Sequence, residues 1–134
     1  MKNKVLIEKT TFKVDEVNKV IICILKCNMQ LDRHPAWYAI EDRMFKKQAP
    51  FVDYLGRFVV KAKAKCRIDD EFDVKIGKKI AEERAKVKMF NISSRVYKCC
   101  AESILNFVKE CNKYSEACKQ AMMIESNRVL KLIE

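Results

Sequence analysis

The stretch that decides the fold reads F-V-V-K-A-K-A-K-C-R-I and runs from Phe58 to Ile68. From Val60 onward its apolar or small side chains alternate with cations, which are Lys61, Lys63, Lys65 and Arg67. Successive side chains of an extended chain point to opposite faces, so a period of two indicates a half-buried β-strand. The sequence therefore predicts a sheet with one apolar face and one cationic face.

Four like charges on one side of a strand repel one another, and two explanations for them stay open. Lysines solvate the outer face of a sheet or protect an edge strand from pairing. They also form surfaces that bind anions. The chain carries 28 Lys and Arg against 18 Asp and Glu, a net charge of +10 over 134 residues. This excess favours nucleotides, nucleic acid or anionic membranes as partners.

Length and composition restrict the class of protein. A chain of 134 residues with 49% apolar residues suits one domain, 1–134, with a sheet-rich half, 1–68, and a helical half, 69–134. No run approaches the roughly 18 apolar residues of a spanning helix, and the N-terminus lacks the pattern of a signal peptide. We therefore expect a soluble cytoplasmic protein with no membrane partner.

The side chains favour binding without catalysis. The seven cysteines form no C-x-x-C pair and are interpreted as reduced core thiols. His34 is the single histidine, which disfavours a zinc site and an activated Cys–His pair. Gly56 and Gly77 stand alone, so no glycine-rich phosphate loop is present. The acidic run at 69–71 is typical of a helix cap, with Mg²⁺ binding as the alternative. We expect no enzyme activity, no metal and no cofactor.

The N-terminal half is predicted to form an antiparallel sheet. Residues 4–14 and 17–30 are rich in strand-forming residues on either side of a polar turn, which indicates two antiparallel strands. Pro35 is a favoured first helical residue and predicts a short helix over 35–47. The chain then returns to the sheet near Phe51. The prediction is about three to four strands with one short helix.

The C-terminal half is predicted to form two helices, which makes the fold class α+β. The first begins at Asp69-Asp70, whose carboxylates complement the helix dipole, and ends near Met89. Its predicted apolar stripe comprises Phe72, Ile76, Ile80 and Val87. Asn91 and Ser93-Ser94 are cap-forming residues that are expected to interrupt the helix.

The last helix is predicted to reach the C-terminus and to carry a seam for another helix. Its apolar residues alternate spacings of four and three, the pattern of nearly parallel or antiparallel helix packing. The seam comprises Cys100, Ile104, Phe107, Cys111, Tyr114, Cys118 and Ala121. A helix this long overhangs a small sheet, so its distal part, 112–134, is expected to pack on a second copy. The predicted protein is a homo-oligomer, a dimer or larger.

Arg84 is the most informative candidate for binding a ligand. Helical spacing puts it four residues after Ile80 and three before Val87, on the predicted apolar stripe. A charge in that position needs a partner. The partner is either a carboxylate, Asp70 or Asp73, or the phosphate of a ligand held by the guanidinium group.

Further candidates follow along the chain. Phe90 stands beside Asn91, and this pair either fills the core or stacks on a base and hydrogen-bonds its edge. Arg95 opposes the dipole of the predicted second helix, which is compatible with an anion nearby. The candidate ligand-binding residues are Arg57, Lys63, Lys65, Arg84, Lys88, Phe90, Asn91 and Arg95.

Residues 64–88, A-K-C-R-I-D-D-E-F-D-V-K-I-G-K-K-I-A-E-E-R-A-K-V-K, resemble small proteins of bacteriophages and prophages of low-GC bacteria. The shared pattern is a strand ending in Cys, an acidic cap, F-D-x-x-x-G and I-A-x-x-R-A. It is matched by Cys66, Asp70, Phe72, Asp73, Gly77, Ile80, Ala81, Arg84 and Ala85. A basic sheet followed by long helices is similar to the Thoeris anti-defence family. The resemblance implies a homo-oligomeric sponge that sequesters cyclic ADP-ribose-type signals, in some cases cyclic oligonucleotides, without cleaving them. Arg84 is the one ligand residue that it carries over.

Three functions follow from these observations. The first is a phage-derived counter-defence protein that captures a small phosphorylated nucleotide, such as a cyclic ADP-ribose isomer, in the cytoplasm of an infected or lysogenic host. The alternative is a phage nucleic-acid-binding protein that contacts the phosphate backbone through its basic face, although its aromatics are not interleaved with the cations as on a stacking platform. The third is an inhibitor whose cationic face binds an acidic host protein.

Overall fold

A computed structural model of the chain describes residues 5–31, 52–53, 56–67 and 71–134. Within these ranges the elements are β1 (Leu6–Asp15), β2 (Val20–Asn28), β3 (Arg57–Lys65) and a single long helix, α1 (Val74–Ile133). The strands form one antiparallel sheet in the order β1-β2-β3. The predicted α+β class and antiparallel N-terminal sheet are confirmed. The predicted helix over 35–47 and the return to the sheet near Phe51 lie outside the described residues.

A tight turn joins β1 to β2. The Asp15 carboxylate accepts hydrogen bonds from the backbone N–H groups of Val17 and Asn18, both at 3.1 Å, and from the Asn18 side-chain amide at 2.8 Å. These bonds lower the pKa of the Asp15 carboxyl, and the bond from the Asn18 side chain has the largest effect. Lys19 closes the turn with a φ of 52°. The Asp15 carboxylate therefore stabilises the polar turn that the sequence predicts between the two strands.

The alternation predicted for the basic strand is confirmed in β3. Val60, Ala62 and Ala64 are buried, whereas the lysines between them are exposed. The register sets Ile21 of β2 opposite Ala64 and Leu25 of β2 opposite Val60, so that each buried residue faces another buried residue. The sheet therefore has one apolar face, which is covered, and one outer face, which carries the charges.

The first half of α1 packs on the apolar face of β2 and β3. Its buried residues recur every three or four positions, and the first of them, Ala81 and Ala85, are small. Gly77 lies one turn earlier, and a Cβ atom placed there would come within 2.5 Å of the Ile21 Cδ1 atom. Small side chains at 77, 81 and 85 thus let the helix approach the sheet closely. Met89 and Val96 follow on the same side of the helix and are buried in the same core.

The predicted break between two helices is wrong, because α1 continues through Asn91 and Ser93 without interruption. The buried Ser93 hydroxyl donates a hydrogen bond to the carbonyl oxygen of Met89 at 2.8 Å, which satisfies it inside the helix. The predicted start is also displaced. The helix begins at Val74, and its N-cap is Asp73, whose carboxylate accepts from the Ile76 N–H at 3.2 Å.

The predicted apolar stripe of this helix is wrong as well. Ile76, Ile80 and Val87 are 57%, 41% and 69% exposed. The sheet instead contacts the face with alanine and methionine at positions 81, 85 and 89. Bulky residues give the stronger pattern in the sequence, but close approach to a sheet favours the face with the smaller residues.

The second half of α1 extends past the sheet. The last buried residue of the helix is Ser103, and residues 105–134 are all exposed. At 1.5 Å per residue, these thirty residues span about 45 Å. Among the described residues, no helix is long and apolar enough to cross a membrane.

Candidate anion-binding surface

The outer face of the sheet carries lysines on all three strands. Alternation and register place them on this face: Lys9 and Lys13 on β1, Lys26 on β2, and Lys61, Lys63 and Lys65 on β3. All six are exposed, and we refer to this set as the basic face. On this face the half-buried side chain of Ile22 lies between Lys13 and Lys63, and that of Ile24 lies next to Lys61. Lysine stems cover such apolar groups while their ammonium groups stay in water.

The basic face is not neutralised from within the described part of the chain. None of its six lysines forms a salt bridge there. The acidic residues on this side of the sheet lie at its two ends, where Asp15 is engaged by the turn and Glu8 accepts a hydrogen bond from the Asn28 side chain at 2.7 Å. The middle of the face therefore presents positive charge alone.

Arg57, a predicted ligand residue, lies at one end of the outer face and already has partners. Its Nε atom is 3.8 Å from a carboxylate oxygen of Glu8. Its backbone N–H donates to the Asp53 carboxylate at 2.8 Å, and its carbonyl accepts from the Asp53 N–H at 2.9 Å. Because its charge is paired, Arg57 contributes less to an anion site than the lysines do.

Arg84 contacts the edge of β3 that faces away from β2. Alternate residues of a strand direct their backbone groups to opposite edges, and in β3 the carbonyls of Lys61 and Lys63 face away from β2. The Arg84 Nη1 atom donates to the Lys63 carbonyl oxygen at 3.0 Å, and the Lys88 Nζ atom donates to the Lys61 carbonyl oxygen at 2.8 Å. Two cations of α1 therefore hold the helix to the edge strand.

The surroundings of Arg84 differ from both alternatives that its position suggested. Its side chain is exposed and binds a backbone carbonyl, not the carboxylate of Asp73. Asp70, the other candidate partner, lies outside the described residues. The expectation that Arg84 sits on a buried apolar stripe is wrong, because the helix is rotated so that this row faces the edge of β3.

The remaining candidates divide into two groups. Asn91 and Arg95 follow Arg84 and Lys88 at spacings of three and four, so these four residues form one row along α1, beside the β3 edge. Phe90 is 43% exposed, and a rotation of about 100° per residue places it on a different side of the helix from Asn91. The structure brings Arg84, Lys88, Lys63 and Lys65 to one side of the molecule and leaves Phe90 apart.

Sequence reasoning missed a cavity at the junction between β3 and α1. It has a volume of about 490 Å³ and an open mouth. Its lining comprises Ala64, Lys65, Cys66, Arg67, Glu71, Phe72, Asp73, Ile76, Gly77 and Ile80. The Cys66 thiol donates to the carbonyl oxygens of Arg67 at 3.4 Å and Glu71 at 3.6 Å. The signal for it is the run of mixed polar and apolar residues after the basic strand, whose acidic part is interpreted from the sequence as a helix cap or a Mg²⁺ site and not as the lining of a cavity.

The buried cysteines have the properties of core thiols. Burial raises the pKa of Cys27 and of Cys100 to about 11, so both are protonated at neutral pH. A protonated thiol is a poor nucleophile. These two side chains therefore contribute packing.

No family model, curated protein or solved structure matches this chain. The resemblance of residues 64–88 to small phage proteins thus stays a prediction, as do the functions that it implies.

Proposed function

We propose that this protein binds nucleic acid through the phosphate backbone, with the basic face as its contact surface. The observation that carries the proposal is the set of six exposed lysines on three adjacent strands, none of them in a salt bridge with a described residue. Such a surface attracts a polyanion and releases its counterions on binding. The net charge of +10 adds a long-range attraction.

The shape of the basic face favours a polymer over a single nucleotide. Three strands spaced about 4.8 Å apart give a face about 10 Å wide, and nine residues of β3 give it a length of about 30 Å. Its charged groups are spread over that length and do not converge on one point. Lysine presents a point charge without a fixed fork of donors, which suits contact with a backbone.

The proposed binding is insensitive to base sequence. Apart from polar and charged residues at the strand ends, such as Asp15, Asn28 and Arg57, the outward positions of the three strands carry lysines, threonine and aliphatic side chains. None of these positions carries an aromatic ring that would stack on a base. Phe12 and Phe58 belong to the other face, in contact with or within the core. Backbone contacts position a protein on nucleic acid without reading its sequence.

The test is a titration of labelled duplex and single-stranded DNA and RNA at about 50 and about 200 mM salt. Six phosphate contacts predict a slope of log affinity against log salt of about −5 for duplex DNA. Two unrelated sequences of equal length should bind equally. Absence of binding at the lower salt concentration, or an affinity that salt does not change, would rule out the proposal.

A second candidate function is the capture of a small phosphorylated nucleotide, and the junction cavity is the observation that favours it. A volume of about 490 Å³ is in the range of small-ligand sites. Lys65 and Arg67 offer charge for a phosphate, and Phe72 offers an aromatic ring. Glu71 and Asp73 on the same lining oppose an anion, which is why we rank this function second. The counter-defence role implied by the phage resemblance belongs to this candidate.

Thermal-shift measurements separate the two functions. Cyclic ADP-ribose isomers and cyclic dinucleotides should raise the melting temperature if the cavity binds them, and the effect should be lost in Arg67→Ala. A Lys79→Ala variant is the control, because Lys79 is exposed and lies outside the cavity lining. A sequestered ligand is recovered intact after heat denaturation. Recovery of a cleaved product would indicate an enzyme, and no shift with any nucleotide would leave backbone binding alone.

Location in the bacterial cytoplasm and self-association through the C-terminal helix belong to the same proposal. The cytoplasm supplies nucleic acid and keeps thiols reduced, which suits the seven cysteines, none of which forms a disulfide bond in the described part of the chain. The exposed apolar residues of the second half of α1 support self-association.

A further inference from the structure

The second half of α1 has an apolar stripe that nothing in the described chain covers. Large exposed apolar side chains recur along it, among them Phe107, Tyr114, Met122, Val129 and Leu132, each 49% to 84% exposed. The smaller Cys111, Cys118 and Ala121 complete the stripe at spacings of three and four as far as Met122. The polar residues Glu125 and Ser126 then separate Met122 from Val129. Monomeric proteins rarely expose so long an apolar surface, so the stripe indicates an interface.

This stripe continues the one that packs on the sheet. The buried positions of the first half include Ala85, Met89, Val96 and Ser103, and the next step of four leads to Phe107. The sheet and the uncovered stripe therefore lie on the same side of one helix. The residues on this side are buried up to Ser103, and beyond it no described residue covers the side.

The distal part of the chain, residues 104–134, carries much less net charge than the part before it. Residues 104–134 contain five Lys or Arg and four Glu, a net charge of +1, whereas residues 1–103 contain 23 Lys or Arg and 14 Asp or Glu, a net charge of +9. The distal half of α1 can therefore meet its own copy with little net repulsion. A strongly basic or acidic partner has no complementary charge to bind there.

We propose that two copies pair through residues 105–134 in antiparallel orientation. In a parallel pair, the partner's helix would continue along the same side of α1 into the space that the sheet occupies. In an antiparallel pair, the C-terminus of the partner's helix reaches the sheet of the first copy and ends there. The partner's own sheet then lies beyond the C-terminus of the first copy's helix. The uncovered stripe is then filled along its whole length.

Full overlap of residues 105–134 fixes the register. The twofold axis falls between Lys119 and Gln120, so Phe107 faces the partner's Leu132 and Cys118 faces the partner's Ala121. The small side chains of Cys118 and Ala121 meet near the axis, and the large ones of Phe107 and Leu132 meet near the ends. Between them, Cys111 faces the partner's Arg128 and Tyr114 faces the partner's Glu125. The two basic faces then lie at opposite ends of a shared rod of about 45 Å. The pairing does not depend on the proposed function, but it would make any binding by the basic face bivalent.

Mass and directed cross-linking test this arrangement. Light scattering on the full chain should give twice 15.7 kDa. Phe107→Cys and Leu132→Cys are made separately, each with Cys111→Ser and Cys118→Ser. Under mild oxidation, a disulfide-linked dimer should form in the mixture of the two variants, with the bond mapped to 107 and 132, and not in either variant alone. Cross-linking of each variant with itself would show a parallel pair and overturn the proposal.

Substitutions at the interface provide a second measurement. Phe107→Glu with Leu132→Glu should reduce the mass to that of one copy while the sheet stays folded. Lys113→Glu, outside the stripe, should leave the mass unchanged. A wild-type mass of one copy, which would mean that the stripe is covered from within the chain or not at all, or a mass above two copies, would overturn the pairwise arrangement.

Discussion

The guanidinium group of Arg84 donates to the carbonyl oxygen of Lys63 at 3.0 Å, across a separation of 21 residues. The ammonium group of Lys88, one helical turn after Arg84, donates to the carbonyl oxygen of Lys61, two residues before Lys63 in β3. An edge strand with open carbonyls is a template for pairing with another chain. The two cations of α1 occupy these acceptors, so they fasten the helix to the sheet and protect this edge from association.

Replacing Arg84 by Met should destabilise the fold. The change removes the bond to Lys63 and keeps much of the aliphatic stem, so the free energy of unfolding should fall by about 0.5–1.5 kcal/mol. Urea denaturation measures it. Lys79→Met, at an exposed site of the same helix, is the control and should change stability by less than about 0.5 kcal/mol. Equal effects of the two substitutions would show that the bond contributes nothing.

Enlarging the buried small residue Ala85 should push the helix off the sheet. Ala85→Leu is expected to lower the free energy of unfolding by about 1–3 kcal/mol, because the added atoms have no space in a packed core. Ala101→Leu makes the same change at an exposed position of α1 and should be close to neutral. Thermal unfolding followed by circular dichroism compares them. A neutral Ala85→Leu would mean that the helix is less closely packed than described.

Removing the N-cap of α1 should cost stability through one side chain. Asp73→Ala deletes the acceptor of the Ile76 N–H and should lower the free energy of unfolding by about 0.5–2 kcal/mol. Asp73→Ser retains an acceptor and should recover most of the loss. Chemical denaturation of the three proteins side by side gives the comparison. If Ser is no better than Ala, the capping bond is not the source of the effect.

Stability should decline at alkaline pH because of two buried thiols. The pKa of Cys27 and of Cys100 is raised by burial from 9.0 to about 11, so the folded chain keeps protons that the unfolded chain releases. The free energy of unfolding is thus unaffected by these groups below pH 9.0 and falls between pH 9.0 and about 11.

Urea midpoints measured under reducing conditions at about pH 8 and about pH 10.5 test this pH dependence. The double variant Cys27→Ala and Cys100→Ala is less stable at the lower pH, and its midpoint should decline less on going to the higher pH. Parallel declines in the two proteins would assign the effect to other groups.

Neutralising the basic face should weaken nucleic-acid binding and its dependence on salt. Lys61→Ala, Lys63→Ala and Lys65→Ala together remove three phosphate contacts and should reduce the steepness of the salt slope by about 2 to 3 for duplex DNA. A triple Ala variant at Lys109, Lys113 and Lys119 removes the same charge from the distal helix and is the control. Equal losses in the two variants would mean that net charge, and not the basic face, governs binding.

The pattern of single residues was enough to predict the sheet. The alternation at 60–67 identified β3 and both of its faces, because a strand has one side-chain period and the lysines leave only one face for burial. The antiparallel partners followed from a polar turn between two strand-forming runs. For the C-terminal half, the sequence predicted helical structure but also a break at Asn91 and Ser93-Ser94 that does not exist. It did not show which side of the helix faces the sheet, since both sides carry apolar residues.

At the candidate site, too, the sequence predicted some features and the tertiary structure was needed for the others. Arg84 was singled out because a cation at that helical position needs a partner, and the structure gives it one. The identity of that partner, a carbonyl of an edge strand, depends on a contact across 21 residues that no local pattern encodes. The grouping of Lys9, Lys13 and Lys26 with the lysines of β3 likewise requires the register of the sheet.

Local order along this chain thus comes from its own residues: β-strands from alternation, a long helix from the lack of breakers, and a cationic surface from composition. The tertiary structure decided the rotation of α1, the partners of Arg84 and Lys88, and the length of helix left uncovered. The reason is steric. The helix comes closest to Ile21 and its neighbours on the side that carries Gly77, Ala81 and Ala85, because these residues are small. Packing on this side fixes the rotation of α1 and therefore the direction of all its remaining side chains.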